Sequence, residues 1–252
     1  MKKNYLVKGL LLTFLGFAAV PAFALTLDKP PMIKSDKAAI QKKLKSKYQL
    51  QAQSNGEVNP LYPVKYTATY IQGIKDEYNA VTKDEIVCVS LDMLKGTNGD
   101  FSRKAILGNN LIQRPMKVEF KDLSTINKSY GDYDALGWKR GKNLYIYINQ
   151  KHSTSPAIAL AALLSHEAIH QDEYNSLSEE TYAWTMEAAV FTELVGLYPD
   201  YELNLDSLVQ REKTLKKLFE RGNYTNKYIK KTVYSNEGYQ NLPISSPGFE
   251  EL

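Results

Sequence analysis

From Tyr66 onward apolar residues recur at helical spacing, with Tyr70, Ile71, Ile74, Tyr78 and Val81 on one stripe. Thr82 and Glu85 have the spacing of a capping box, which would open a second helix running toward Leu94 and stopped by Gly96. The β-rich run 86–91 fits a strand equally well, so both readings stay open. Residues 100–107, closed by Gly108, predict a short helix. Residues 116–120 alternate as a strand does, and Leu-Tyr-Ile-Tyr-Ile at 144–148 is rich in β-formers. Gly137 and Gly141 should bracket the turn between these two strands.

Residues 157–164 are apolar nearly all round and predict a buried helix, with Ser155 as N-cap and Pro156 at its first position. A further helix should open at the capping box made by Ser176 and Glu179. Helices, then strands, then two long helices make an α+β fold the expected class. Beyond Asn223 the chain is polar and interrupted by Pro243 and Pro247, as in a surface tail. No internal repeat is visible.

The N-terminus follows a different logic. Lys2, Lys3 and Lys8 precede an apolar run at 9–20, and Ala22-Phe23-Ala24 offers small residues for cleavage. This is the pattern of an export signal over residues 1–24, and the run is too short for a transmembrane anchor. Leu25 rather than cysteine follows the cut. The expected location is periplasmic or secreted. Residues 25–63 form a basic arm, with Lys34, Lys37, Lys42, Lys43, Lys45 and Lys47, suited to a prosegment or to contact with an anionic cell envelope. A main domain over 64–222 and a C-terminal tail over 223–252 complete the expected organisation.

Composition changes this picture little. The 252 residues carry a net charge of +4 and are 43% hydrophobic, which is ordinary for a globular chain. Three of the 32 basic residues and none of the 28 acidic ones lie in the signal, so the remainder is nearly neutral. A nucleic-acid partner therefore has no support from charge. The single cysteine, Cys88, excludes an intrachain disulfide framework, and its apolar neighbours predict a buried thiol.

Histidine carries the chemistry. There are three, and His166 and His170 stand four apart at the end of the buried helix, on one face if the helix continues. Imidazoles in an apolar setting need partners, and a shared metal ion supplies one. Glu167 follows the first histidine and is placed to act as a general base on a water that such an ion activates. His152 lies before the helix and is expected at the surface. No glycine three residues past His170 and no histidine six past it extend the motif, so the third ligand must be a carboxylate on the next helix.

A register argument selects it. In an antiparallel hairpin with residue 172 level with 176, residue 168 faces Glu180, while Glu187 faces Ala161, about 10 Å further along. Glu180 is the expected ligand, Glu179 the expected capping partner, and Glu187 a polar residue beside the site. Glu179 or Glu187 would inherit the role if the turn were longer.

His166-Glu167-Ala168-Ile169-His170 with a downstream Glu180 resembles the gluzincins, zinc peptidases whose third ligand is a glutamate on a following helix. Glu180-Thr181-Tyr182-Ala183 also looks like the Glu-x-x-Ala stretch of several such families. Where they often place an aspartate that supports a histidine ligand, this chain has Trp184. The resemblance covers roughly residues 155–190. It implies a zincin-like fold, a small sheet packed on the active-site helix, with 144–148 as the rim strand that aligns an extended peptide or protein substrate. It also implies Zn²⁺ held by His166, His170 and Glu180, with Glu167 catalytic. Tyr174 and Tyr182 are both candidates to stabilise an oxyanion. The alternative is a secreted or cell-envelope binding protein that keeps the scaffold without turnover.

Overall fold

A helix that is apolar on every side has to be surrounded, and residues 157–164 lie at the centre of the molecule. The computed structural model describes residues 61–63, 65–108, 114–140, 143–171 and 174–250. Residues 1–24, expected to be an export signal, and almost all of the expected basic arm at 25–63 lie outside the described residues. Within them the order is α1 (Ala68–Tyr78), α2 (Glu85–Met93), α3 (Asp100–Leu107), β1 (Lys117–Lys121), β2 (Ala135–Arg140), β3 (Asn143–Asn149), α4 (Ala157–Glu167), α5 (Leu177–Leu197), α6 (Ser207–Arg221) and α7 (Lys227–Tyr234). Among the described residues this is an α+β arrangement with one three-stranded mixed sheet.

Every residue of α4 is buried. It is enclosed by α2, α3, α5, α6 and strand β2. Each large apolar side chain so enclosed contributes about 1.5–3 kcal/mol relative to exposure, which fixes α4 as the axis on which the other elements are placed. Helix α2 answers the question left open by its β-rich sequence. Packed between α1 and α4, it is buried from Ile86 to Met93, and Ser90 hides its hydroxyl by donating to the Ile86 carbonyl at 2.7 Å. The capping box expected at its start does not hold the helix: Asp84 is the N-cap, and Glu85 pairs instead with Lys75 and the Tyr62 hydroxyl, both at 2.9 Å. Cys88 is buried inside this helix, and burial pushes its thiol up to about 11.

The sheet departs from expectation in one strand. Gly137, expected in a turn, lies within β2 opposite Ile146, because residues 135–140 pair antiparallel with β3. Strand β1 pairs parallel with β3 on its other side. The order β1-β3-β2 therefore puts the 144–148 stretch in the middle of the sheet, not at its rim. A central strand has both hydrogen-bonding edges occupied and cannot align a further chain. The edge strand in contact with α4 is β2.

Two further expectations are corrected at the N-terminal end of α4. Ser155 does not cap the helix; its hydroxyl donates to Asp206 at 3.0 Å and lies 3.3 Å from His152 Nδ1, while Pro156 occupies the cap position. His152, expected at the surface, is 1% exposed, with Nε2 2.7 Å from Asp134. The sequence places a polar residue after a strand, and only the fold shows that α6 closes over it through Asp206.

The segment beyond Asn223, expected as a polar surface tail, is tied into the structure. Ile229 and Val233 on α7 are fully buried against α5 and α6. The chain then crosses the first turn of α5, where the Pro243 and Ile244 carbonyls accept from the Leu177 and Ser178 amides at 2.9 and 3.0 Å. Those amides are among the donors that a helix start leaves unsatisfied. Among the described residues no helix is long and apolar enough to cross a membrane.

Candidate metal centre

Helix α4 ends at Glu167, earlier than a continuous helix through both histidines would. The next turn tightens, with the Ile169 amide donating to the His166 carbonyl at 2.8 Å. His170 therefore stands beyond the helix rather than on its face. The tight turn still brings it back under His166, and the two Nε2 atoms lie 3.1 Å apart.

Helix α5 starts at its expected N-cap, where the Ser176 hydroxyl accepts from the Glu179 amide at 3.1 Å. One residue on, Glu180 turns toward the histidines. Its carboxylate oxygens are 3.9 Å from His166 Nε2 and 3.7 Å from His170 Nε2. His166, His170 and Glu180 thus form a buried group that could hold a metal ion.

The donor chemistry fits an ion. His166 Nδ1 is 3.0 Å from Glu187, and His170 Nδ1 is 3.1 Å from Glu179. A carboxylate only accepts, so both Nδ1 atoms carry the proton and both Nε2 lone pairs point into the same small space. Donors around an ion with bonds of about 2.0–2.1 Å are spaced about 3.3 Å apart in a tetrahedron, close to the separations seen. One oxygen of Glu180 accepts from Asn175 at 2.6 Å, and the other is buried without a hydrogen-bond partner. With no cation among them, these groups capture a proton. Burial lowers the His170 pKa, but Glu180, Glu179 and Glu167 outweigh it and push it up to about 10.

Of the two carboxylates behind the histidines, Glu187 was expected beside the site, whereas Glu179 was expected only as a capping partner. Glu187 stands seven residues past Glu180, two turns along the same face of α5. The His166 ring spans that gap, with Nε2 toward Glu180 and Nδ1 on Glu187. Glu187 is held in turn by Arg211 on α6, whose Nη2 donates to Oε2 at 3.1 Å and whose Nη1 meets Oε1. Burial alone would raise the Glu187 pKa; Arg211 and His166 outweigh it and keep the group ionised. Arg211 also reaches Asp134, immediately before β2, with Nε at 3.2 Å.

Trp184, at the position where gluzincins often have an aspartate, contacts Tyr239 and Arg211 instead. Its Nε1 donates to the Tyr239 hydroxyl at 3.3 Å, and the Arg211 guanidinium lies 5.8 Å from its ring. The Tyr239 phenol has its pKa raised by burial and then by Glu180, with Glu167 adding to it, so it faces both carboxylates. Neither tyrosine named from sequence has this placement: Tyr174 is 55% exposed, and Tyr182 packs edge-on to Phe249.

Glu167 itself is 7% exposed. Burial raises its pKa, opposed by His166 and His170 and assisted by Glu180 and Glu187. A buried carboxyl group with its pKa displaced upward beside a cation site is a better base than an ordinary glutamate.

Glu187, Glu179 as a histidine partner, Arg211 and Tyr239 were not legible as a set. The available signal was the i, i+7 spacing of Glu180 and Glu187 on a helix whose other face is apolar. No family model matches this chain, and no curated protein or solved structure is detectably similar to it.

Proposed function

We propose that this chain is an exported zinc-dependent metallopeptidase of zincin-like, gluzincin type. The observation that carries the reading is the convergence of His166 Nε2, His170 Nε2 and Glu180, with each histidine oriented from behind by a glutamate. Two imidazoles and one carboxylate are a catalytic rather than a structural set for zinc, since three protein ligands leave one position open. When bound, zinc would lower the pKa of water and polarise a scissile carbonyl.

The residues around it divide the remaining work. Glu167 accepts the proton of the attacking water and returns it to the departing amine. Glu187 and Glu179 hold the two Nδ1 protons, which fixes the tautomer and aims both Nε2 atoms. Arg211 keeps Glu187 charged. An extended substrate would align along β2, the edge strand that contacts α4, and Asp134 ties the start of that strand to the Arg211–Glu187 pair.

Glu167→Gln tests the reading. The variant should keep one equivalent of zinc by elemental analysis while peptide hydrolysis falls about 10²–10⁴-fold, the range for a lost general base. Hydrolysis at the wild-type rate would remove Glu167 from the mechanism. Zinc bound by the wild type without cleavage of any peptide in a broad library would favour the secreted binding protein instead.

A further inference from the structure

The C-terminal segment touches the back of the candidate site at one residue. Ser246, 5% exposed, lies 3.1 Å from Glu179 Oε2 and 2.9 Å from the Ser176 hydroxyl. The direction of each bond can be assigned. The carboxylate only accepts, so Ser246 donates to Glu179. The oxygen of Ser246 then accepts from the Ser176 hydroxyl, whose own oxygen accepts from the Glu179 amide. The result is a closed ring of three hydrogen bonds, beginning and ending on Glu179. Bonds in such a ring polarise one another, and a buried ring is costly to break at any member.

The other Glu179 oxygen holds His170 Nδ1 at 3.1 Å. His170 is the histidine that most needs this support, because it stands beyond the end of α4. The segment carrying Ser246 is itself fastened on both sides. Before it, the Pro243 and Ile244 carbonyls accept from the first amides of α5. After it, Gly248 turns with φ +88° and Phe249 packs edge-on against Tyr182, ring centres 5.7 Å apart. The Pro243 and Ile244 carbonyls complete the capping of α5 that Ser176 begins at the Glu179 amide, and that capping does not require the further bond from Ser246 to the Glu179 carboxylate.

We propose that residues 243–249 are a positioning strap for the metal centre: Ser246 fixes the Glu179 carboxylate, Glu179 fixes the His170 ring, and metal affinity depends on the strap. Ser246 is a positioning residue that acts through Glu179. The inference rests on the proposed metal site and assigns that site a component from the far end of the chain.

Chelator competition on the full chain measures it. Partners one step behind a ligand typically change metal affinity 10–100-fold. Ser246→Ala, one step further removed, should weaken zinc binding about tenfold. Ser246→Thr, which keeps the hydroxyl, should stay near wild type. In a Glu179→Ala background, Ser246→Ala should change affinity little, because the carboxylate through which Ser246 acts is gone. An equal loss in both backgrounds, or no loss in either, overturns the strap.

A second measurement needs no variant. Coupling is reciprocal, so zinc must stabilise whatever helps to hold its ligands. Hydrogen exchange at the Leu177 and Ser178 amides, which donate to strap carbonyls, should slow on loading the wild-type protein with zinc. Unchanged exchange on loading overturns the proposal even if Ser246→Ala does not fold. Wild-type protein that binds no zinc at all would instead overturn the metal site, a result distinguishable from either of these.

Discussion

Glu187 holds Nδ1 of His166 at 3.0 Å, and the same carboxylate is gripped from its other side by a guanidinium. The contact orients the ring and makes its far nitrogen more basic, both of which favour a cation at Nε2. Glu187→Gln keeps an acceptor but loses the charge, so zinc affinity should fall about 10–100-fold. Glu180→Ala removes a ligand and should abolish stoichiometric binding. Chelator competition ranks the two; equal affinity for Glu187→Gln and wild type would remove Glu187 from the site.

How much of this was readable in the sequence depends on the range of the interaction. Helix α3 has the expected bounds and its glycine stop, because propensity and a positive-φ terminus at Gly108 are local. Glu180 emerged from spacing along two consecutive helices. Strand β2 was hidden because Gly137 reads as a turn residue, and only the partner strand β3 overrides that preference. His152 was misplaced for a similar reason: its partner Asp134, 18 residues earlier, becomes a neighbour only when β2 pairs with β3. Ser246 and Tyr239 were out of reach, since nothing local marks a residue that returns to a site from the end of the chain.

Arg211 holds two carboxylates together, Glu187 and Asp134, with Glu212 adjacent on its own helix. Burial raises the Glu212 pKa, and Glu187 raises it further, which leaves Arg211 as the cation that balances Glu187 and Asp134. Arg211→Leu would leave the fully buried Glu187 with only His166 opposite it, while Asp134 keeps Lys151 and His152. Breaking a buried pair by removing one partner costs about 3–5 kcal/mol, and the lower end applies because the Arg211 side chain is 27% exposed and partly screened. Urea unfolding of metal-free protein should show this loss. A difference under about 1 kcal/mol, the scale of a surface pair, would mean the network is not electrostatically taut.

Cys88 makes a separate test of the core. Its thiol is 1% exposed in α2, and burial pushes its pKa up to about 11. The nucleophile in thiol exchange is the thiolate. Native protein should therefore react with a disulfide reagent at neutral pH only as fast as it opens, and promptly in denaturant. Fast labelling without denaturant would show that α2 does not pack against α4 as described.

Asp134 predicts a pH dependence of known sign. Burial raises its pKa, but the hydrogen bond from His152, the Arg211 charge and Lys151 outweigh burial and hold it below its ordinary value of 3.8. A carboxyl group with a depressed folded-state pKa binds fewer protons folded than unfolded. Its contribution to stability is present above about pH 3.8 and disappears as pH falls through the folded value. Asp134→Asn should therefore melt below wild type at pH 7, and the gap should close as pH drops past 3.8 toward the folded value. Thermal unfolding of both proteins across that range measures it. A gap that stays constant into strong acid would show that Asp134 acts by shape rather than by charge, and that the tie between β2 and the Arg211–Glu187 pair is not ionic.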